Sequence, residues 1–252
     1  MKIKIFKSNK YLVIINFRTL IALVIALVIL WISYIFKFSY NIDLTLLSIA
    51  IIFPLVFNIR GSFKRRERAL EYLSRFRSAL LTLNYYFKNS PKLTENDKRE
   101  ITNILLEISN ELIVHLGKSD YDTKDIDDRV QKVFNFITDK DELIPARYKV
   151  RIIRFLNDLH ESIENLHAIH VHRTIISLKA YCEYSIYVFP FIYVPVIIYH
   201  LGMETSKWIA FFIVLFTEFI LISLYNIQDQ MEYPFDKVGM DDIKLETFKF
   251  DR

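Results

Sequence analysis

Three histidines and one carboxylate are the residues of this 252-residue chain whose types and positions suggest chemistry. His167, His170 and His172 lie close together, and the spacing of the first two can place both imidazoles on one helix face, where they could bind a metal ion. The alternative is three separate histidines at a helix end. Since no cysteine pair and no second histidine cluster completes a ligand set, we expect no bound metal and no cofactor.

The carboxylate, Glu218, lies near the middle of an apolar segment, beside Thr217. An ionisable group inside a bilayer is costly when it faces lipid, so we expect it to face protein or water. Two interpretations stay open, a pore or proton-relay residue and a structural carboxylate bonded to a neighbouring helix. The sequence has no Walker loop, no dinucleotide-binding glycine pattern and no G-x-S-x-G motif, so we expect no enzymatic activity.

Four apolar segments position these groups. With 52% hydrophobic residues and only four glycines, the composition favours long helices, and the charged residues crowd between the apolar segments. A helix rises about 1.5 Å per residue and must cross a hydrocarbon core of about 30 Å. We predict an all-α integral membrane protein with four transmembrane helices and a cytosolic helical domain. The predicted spans are residues 19–36, 44–59, 181–201 and 208–227.

Basic residues predict the orientation in the membrane. Residues 60–68 form a dense basic run, and the N-terminal segment is also basic, so the positive-inside rule places both in the cytosol. We expect a cell (plasma or inner) membrane protein with both termini cytosolic. A net charge of +4 argues against nucleic-acid binding. The predicted organisation is 1–59 (N-terminal segment and spans one and two), 60–179 (cytosolic helical domain), 180–228 (spans three and four) and 229–252 (cytosolic acidic tail).

The segment between the second and third spans has helical periodicity. Thr94, with Asp97 three residues on, predicts a helix N-cap, Pro145 suits the first turn of another helix, and the acidic residues 117–128 predict a surface loop. The apolar stripes contain Leu70, Leu73, Phe76, Leu80, Leu83 and Phe87, then Ile101, Ile104, Leu105, Ile108, Leu112 and Leu116, then Ile152, Ile153, Leu156, Leu159 and Ile163.

Ile49, Phe53 and Phe57 form a stripe on the second span. Four helical residues advance about 400°, so the three side chains share one face, each about 6 Å above the last. If copies of this helix line a pore, the stripe becomes stacked apolar rings that can gate by dewetting. Taken alone, such a stripe also suits lipid contact or core packing.

Three segments resemble the bestrophin family. Residues 55–69, LVFNIRGSFKRRERA, are similar to the segment where the bestrophin pore helix leaves the membrane. Residues 172–181, HRTIISLKAY, resemble the stretch entering the third span, with Ile175 where proline is usual. Residues 227–243, IQDQMEYPFDKVGMDDI, resemble the acidic Asn-Pro-Phe segment, with Pro234 and Phe235 matching and Tyr233 where asparagine is usual.

The resemblance implies a homo-oligomeric, pentameric ion channel of the compact prokaryotic type in a lipid bilayer, passing small monovalent ions. Chloride and sodium both stay open. On this resemblance Ile49, Phe53 and Phe57 form the apolar neck, and Ile176 forms the cytosolic aperture. The calcium clasp of animal members is interrupted by Lys237 and Val238, so we expect no calcium control. The remaining acids are Asp236, Asp241 and Asp242.

Two other functions stay open from the sequence. One is a membrane-anchored scaffold or signalling protein that acts through its cytosolic helices. The other is a membrane enzyme or proton-coupled carrier built around Glu218 and the histidines.

Overall fold

The computed structural model describes residues 15–118, 122–172, 175–202, 207–236 and 242–250. Within these ranges the chain forms α-helices, a short 3-10 helix and no β-strand, so the predicted all-α fold is confirmed. The α-helices are α1 (Phe17–Ile35), α2 (Thr45–Lys88), α3 (Glu95–Gly117), α4 (Lys124–Asp139), α5 (Ala146–Val171), α6 (Ile176–Leu201) and α7 (Lys207–Met231), and the 3-10 helix is Leu245–Phe248.

Four helical stretches are long and apolar enough to cross a membrane, which agrees with the four predicted spans. They lie in α1, in the first part of α2, in the stretch from Ala146 to Leu201 that contains α5 and α6, and in α7. The chain is therefore a multi-pass membrane protein. The second apolar segment and the basic run after it belong to the single helix α2, which remains helical through Pro54.

The structure divides into two compact units. The first contains the described residues of Met1–Lys64 and Thr174–Glu232, and the second contains those of Arg65–Arg173 and Tyr233–Arg252. The membrane-spanning helices α1, α6 and α7 belong to the first unit together with the start of α2. The rest of α2, the helices α3, α4 and α5, and the C-terminal segment belong to the second.

Ion pairs join three helix ends of the first unit. Arg18, at the start of α1, lies 3.4 Å from Glu183 of α6 and 3.0 Å from Asp229 of α7. Lys179, near the start of α6, lies 2.5 Å from Asp229 and 2.6 Å from Glu232, just after α7. The start of α1, the start of α6 and the end of α7 therefore meet at one end of the bundle, as the alternating direction of successive spans requires.

A tyrosine satisfies the backbone group that Pro54 leaves free. Proline has no N–H, so the carbonyl four residues earlier, that of Ala50, lacks its usual helical donor. The Tyr181 hydroxyl of α6 donates a hydrogen bond to this carbonyl at 3.0 Å. Such a bond is valuable within a membrane, where no water replaces a missing donor.

The same arrangement recurs at Pro195 of α6. The carbonyl four residues before it belongs to Phe191, and the next carbonyl is that of Ile192. The Tyr40 hydroxyl lies 3.5 Å from the first and 3.2 Å from the second, and it donates to this pair from the connection between α1 and α2. Two proline-interrupted helices thus receive replacement donors from neighbouring parts of the bundle.

The second unit is a helical domain with its own apolar core. The predicted stripes supply most of that core, but Ile153 is exposed. The expected loop is wrong from Lys124 onward, because α4 begins there and buries its own apolar stripe. Two of the acidic residues that suggested a loop, Asp125 and Asp127, lie in the first turn of α4, where the helix dipole favours negative charge. The buried stripe of α4 is Ile126, Val130, Val133, Phe136 and Ile137.

Thr94 and Asp97 cap α3 as predicted. The Thr94 side chain accepts from the backbone N–H of Asp97 at 3.2 Å, and the Asp97 carboxylate accepts from that of Thr94 at 3.0 Å. Lys140 lies 2.7 Å from the same carboxylate. The hydrogen bonds from Lys140 and Thr94 lower the pKa of Asp97 from 3.8 to about 2. Its contribution to stability is therefore complete above pH 3.8 and is lost as the pH falls towards 2.

The C-terminal segment packs into the second unit. The Ile243 N–H donates to the Pro234 carbonyl at 2.8 Å, and the side chains of Phe235, Leu245 and Phe250 are buried in the core. Lys237, Val238 and Asp241, which bear on the calcium prediction, lie outside the described residues. The predicted acidic tail is thus held to the helical domain through its apolar residues.

The pairing of Pro54 with Tyr181 predicts a double-mutant cycle. Tyr181→Phe removes the donor to Ala50 and should cost about 1 kcal/mol of stability. In a Pro54→Ala background the helix supplies its own N–H to this carbonyl, so the same Tyr181→Phe change should be nearly neutral. Thermal unfolding in detergent measures both, and Tyr184→Phe on the exposed side of α6 is the matched control. An equal cost of Tyr181→Phe in both backgrounds would contradict the explanation.

Candidate functional site

The first part of α2 has one face packed on its own chain and one face left uncovered. Ile51, Leu55, Asn58 and Ser62 are buried, at spacings that follow the helical repeat. On the opposite side, the exposed fractions are 43% for Ile49, 55% for Phe53 and 62% for Phe57. Core packing within the chain, one of the interpretations of this stripe, is therefore excluded.

Contacts to α6 determine which face of α2 is buried. The Asn58 side-chain amide donates to the sulfur of Cys182 at 3.2 Å, and both residues are buried. The bond from Tyr181 to Ala50 lies two turns earlier on α2. These polar contacts, together with the burial of Leu55, orient the stripe away from the bundle. Asn58 was not among the predicted site residues, although a lone amide at the end of an apolar segment is a recognisable signal.

The uncovered face carries an aromatic pair. The rings of Phe53 and Phe57 are stacked, with centroids 6.2 Å apart and planes 21° from parallel. Ile49 continues the same face one turn earlier. If copies of α2 surrounded an axis, these side chains would form three successive apolar rings, in which a passing ion would lose hydration and gain little.

Two basic residues continue this face beyond the aromatic pair. Arg60 follows Phe53 by seven residues, and Lys64 follows Phe57 by seven, a spacing of about two helical turns. Both side chains are exposed, and neither forms an ion pair with any residue that the structure describes. From the sequence, both belong to the basic run that predicts orientation in the membrane and to the bestrophin-like segment 55–69, but neither observation relates them to the stripe. The seven-residue spacing was the signal that relates them to the stripe.

Ile176 is the first residue of α6 and is 82% exposed. Ile175, which stands where the family has proline, is the N-cap of this helix and is also exposed. Both side chains are therefore available to contact something other than their own chain. The aperture role of Ile176 stays a prediction.

Glu218 is fully buried between the helices of the first unit. Neither carboxylate oxygen makes a hydrogen bond to any described residue. A structural role for Glu218 through a bond to a neighbouring helix therefore has no support among the described residues. A buried carboxyl without a partner is costly when ionised.

Two of the three clustered histidines make specific contacts in the second unit. His167 Nδ1 lies 3.1 Å from Nε2 of His115, a buried residue of α3. His170 Nε2 lies 2.9 Å from the Lys118 carbonyl. His172, by contrast, is exposed at the end of α5. His115 lies 52 residues before His167, so local spacing did not predict this pair.

Comparisons with known proteins identify the fold. No family model and no curated protein matches the sequence. The structure is similar to that of a bacterial bestrophin homologue from Klebsiella pneumoniae, with a TM-score of 0.77 and 18% identity over 92% of this chain and 93% of that chain. A mutant of that homologue matches with a TM-score of 0.77 and 18% identity over 94% of both chains. The bestrophin resemblance drawn from the three sequence segments is thus confirmed at the level of the fold.

The isolation of Glu218 predicts an unusual response to substitution. Glu218→Met should leave the melting temperature in detergent unchanged or raise it, because it removes a buried carboxyl that has no described partner. Glu183→Met is the matched control in the same bundle. It removes the contacts to Arg18 and Tyr225 and should cost about 1–3 kcal/mol. A Glu218→Met protein less stable than Glu183→Met would reveal a structural partner for Glu218.

Proposed function

We propose that this chain is the subunit of a homo-oligomeric ion channel, a cyclic pentamer in a cell membrane, in which α2 of each copy lines the pore. One observation carries the proposal. A regular face of a membrane-spanning helix, bearing Ile49, Phe53 and Phe57, is left uncovered by the residues that the structure describes. The bestrophin fold supports it, because the uncovered face coincides with the stripe that the family resemblance assigns to the neck.

Exposure alone also suits contact with lipid, and α7 provides the comparison. Phe212 and Phe216 form a stacked pair with centroids 5.7 Å apart, also exposed. Seven residues beyond them lie Phe219 and Ser223, so the α7 face continues without charge. The α2 face instead continues into Arg60 and Lys64. An apolar constriction followed by unpaired charges suits an ion pathway, whereas the α7 face suits lipid.

Arg60 and Lys64 favour anions as the permeant species. Rings of basic side chains concentrate anions and repel cations at the mouth of a pore. In a pentamer, two basic residues from each copy, neither paired with any residue that the structure describes, would stand directly beyond the apolar neck. We therefore assign small monovalent anions, chloride first, in preference to sodium.

The proposed orientation places this basic end in the cytosol. Basic residues mark these helix ends: Arg18 at the start of α1, Lys179 near the start of α6 and Arg60 after the apolar part of α2. The positive-inside rule places such ends in the cytosol. Both termini and the helical domain would then be cytosolic, with Ile176 at the cytosolic aperture. Conduction of this kind requires no covalent chemistry.

Truncation of the neck tests the proposal. Changing Ile49, Phe53 and Phe57 together to Ala should widen and wet the constriction, so that ion flux into liposomes, or open probability, rises several-fold. The matched control is Phe212→Ala with Phe216→Ala, which truncates the stacked pair on α7 and should leave conduction unchanged.

Native mass measurement should show the same oligomer for the wild type and both variants. A monomeric wild-type protein would contradict the proposal, because the pore requires several copies of α2. A triple-Ala protein that assembles normally and conducts like the wild type would show that the stripe contacts lipid. Absence of flux from the wild type and every variant would favour the membrane-anchored scaffold.

Charge reversal tests the selectivity. Replacing Arg60 and Lys64 by Glu should move the reversal potential in asymmetric potassium chloride from the chloride towards the potassium equilibrium potential, because the field beyond the neck changes sign. Lys88→Glu is the control: it reverses a charge at the far end of α2, away from the neck, and should have little effect on the reversal potential. Unchanged selectivity in the double variant would dissociate these residues from the ion pathway.

A further inference from the structure

Three metal-ligating side chains converge between α4 and α5 of the second unit. Asp127, His160 and Glu164 each offer a ligand atom, and these atoms lie within 4.8 Å of one another. His160 and Glu164 are four residues apart on α5, so they share one face, and Asp127 faces them from the first turns of α4. Local sequence spacing does not predict this cluster, because Asp127 and His160 belong to different helices.

The three groups are close but do not bind one another. Within the described part of the chain no hydrogen bond or ion pair joins them. Thr123 donates to one Asp127 oxygen at 2.9 Å, while the other oxygen is buried and has no described partner. Two carboxylates at this separation repel each other unless a cation lies between them.

We propose that Asp127, His160 and Glu164 form a binding site for a transition-metal dication of the zinc type. One imidazole and two carboxylates are the donor set that zinc accepts, whereas magnesium and calcium prefer oxygen alone. His160 and Glu164 are exposed, so water can complete the coordination. The Thr123 hydroxyl orients Asp127, as outer-shell hydrogen bonds commonly do for a ligating carboxylate.

A bound ion would fasten α4 to α5. α4 is an amphipathic helix that packs through its apolar side chains. A metal ion bound by Asp127 of α4 and by two side chains of α5 would add a polar link between the two helices. The site is independent of the neck, and its test does not depend on ion conduction. It is also distinct from the pair of His115 and His167, whose facing ring nitrogens lie 3.1 Å apart and engage each other.

The test measures zinc binding by the tag-free protein in detergent. Calorimetry with zinc chloride gives the affinity and the number of ions bound, and the melting temperature shows whether binding stabilises the protein. We expect one zinc ion per chain and a rise in melting temperature that a chelator reverses. His160→Ala and Glu164→Gln should each weaken binding at least about tenfold, and both change exposed side chains. Asp127→Asn should act in the same direction.

His172→Ala and His167→Ala are the controls, one changing an exposed histidine and the other the histidine pair. Both should bind zinc like the wild type. Loss of binding in His167→Ala with retention in His160→Ala would overturn the assignment and transfer the site to the histidine pair. Equal, weak binding by the wild type and all variants would also overturn it, because it would indicate an adventitious ion only.

Discussion

The absence of water from the bilayer core is the constraint on which the first unit depends. A backbone or side-chain polar group there is costly unless it finds a partner within the protein. Pro54 and Pro195 each leave a carbonyl free, and tyrosine hydroxyls from neighbouring segments approach both. The bond from Tyr181 to Ala50 also connects α6 to α2, so the repair of a broken helix becomes part of the packing of the bundle.

The same contacts determine which side of α2 remains free. Asn58 and Leu55 turn one face towards the bundle, and within the described part of the chain the face with Phe53 and Phe57 stays exposed. The ion pairs of Arg18 join the ends of α1, α6 and α7, and α6 is the helix that Asn58 contacts. The contacts of α2 with α6 in the interior thus leave exposed the face on which the proposed conduction depends.

The sequence predicted the positions of the helices better than the contacts that their side chains make. Apolar segments long enough to cross a bilayer predicted the spans, and the pattern of Thr94 and Asp97 predicted the start of α3, because these signals are local. Periodicity placed Ile49, Phe53 and Phe57 on one face. It did not decide whether that face was packed, because buried and lipid-exposed stripes have the same composition inside a membrane.

What sequence reasoning missed depends on residues distant in the chain. His115 meets His167 across two helices, and Asp127 meets His160 across two others. The acidic start of α4 was interpreted as a loop, since the charges that stabilise a helix N-terminus also suit a surface turn. The role of Glu218 also required the structure, because only the fold shows that its carboxyl has no described partner.

The central claim is that the uncovered face of α2 lines an ion pathway, and accessibility of single cysteines tests it most directly. Cys182→Ser removes the native thiol and keeps an acceptor for Asn58. Phe57→Cys and Phe212→Cys are then compared in liposomes for anion flux before and after a negatively charged methanethiosulfonate reagent. The account predicts inhibition at Phe57→Cys and none at Phe212→Cys. Flux that is unaffected at Phe57→Cys, in a protein that assembles and conducts, would contradict it.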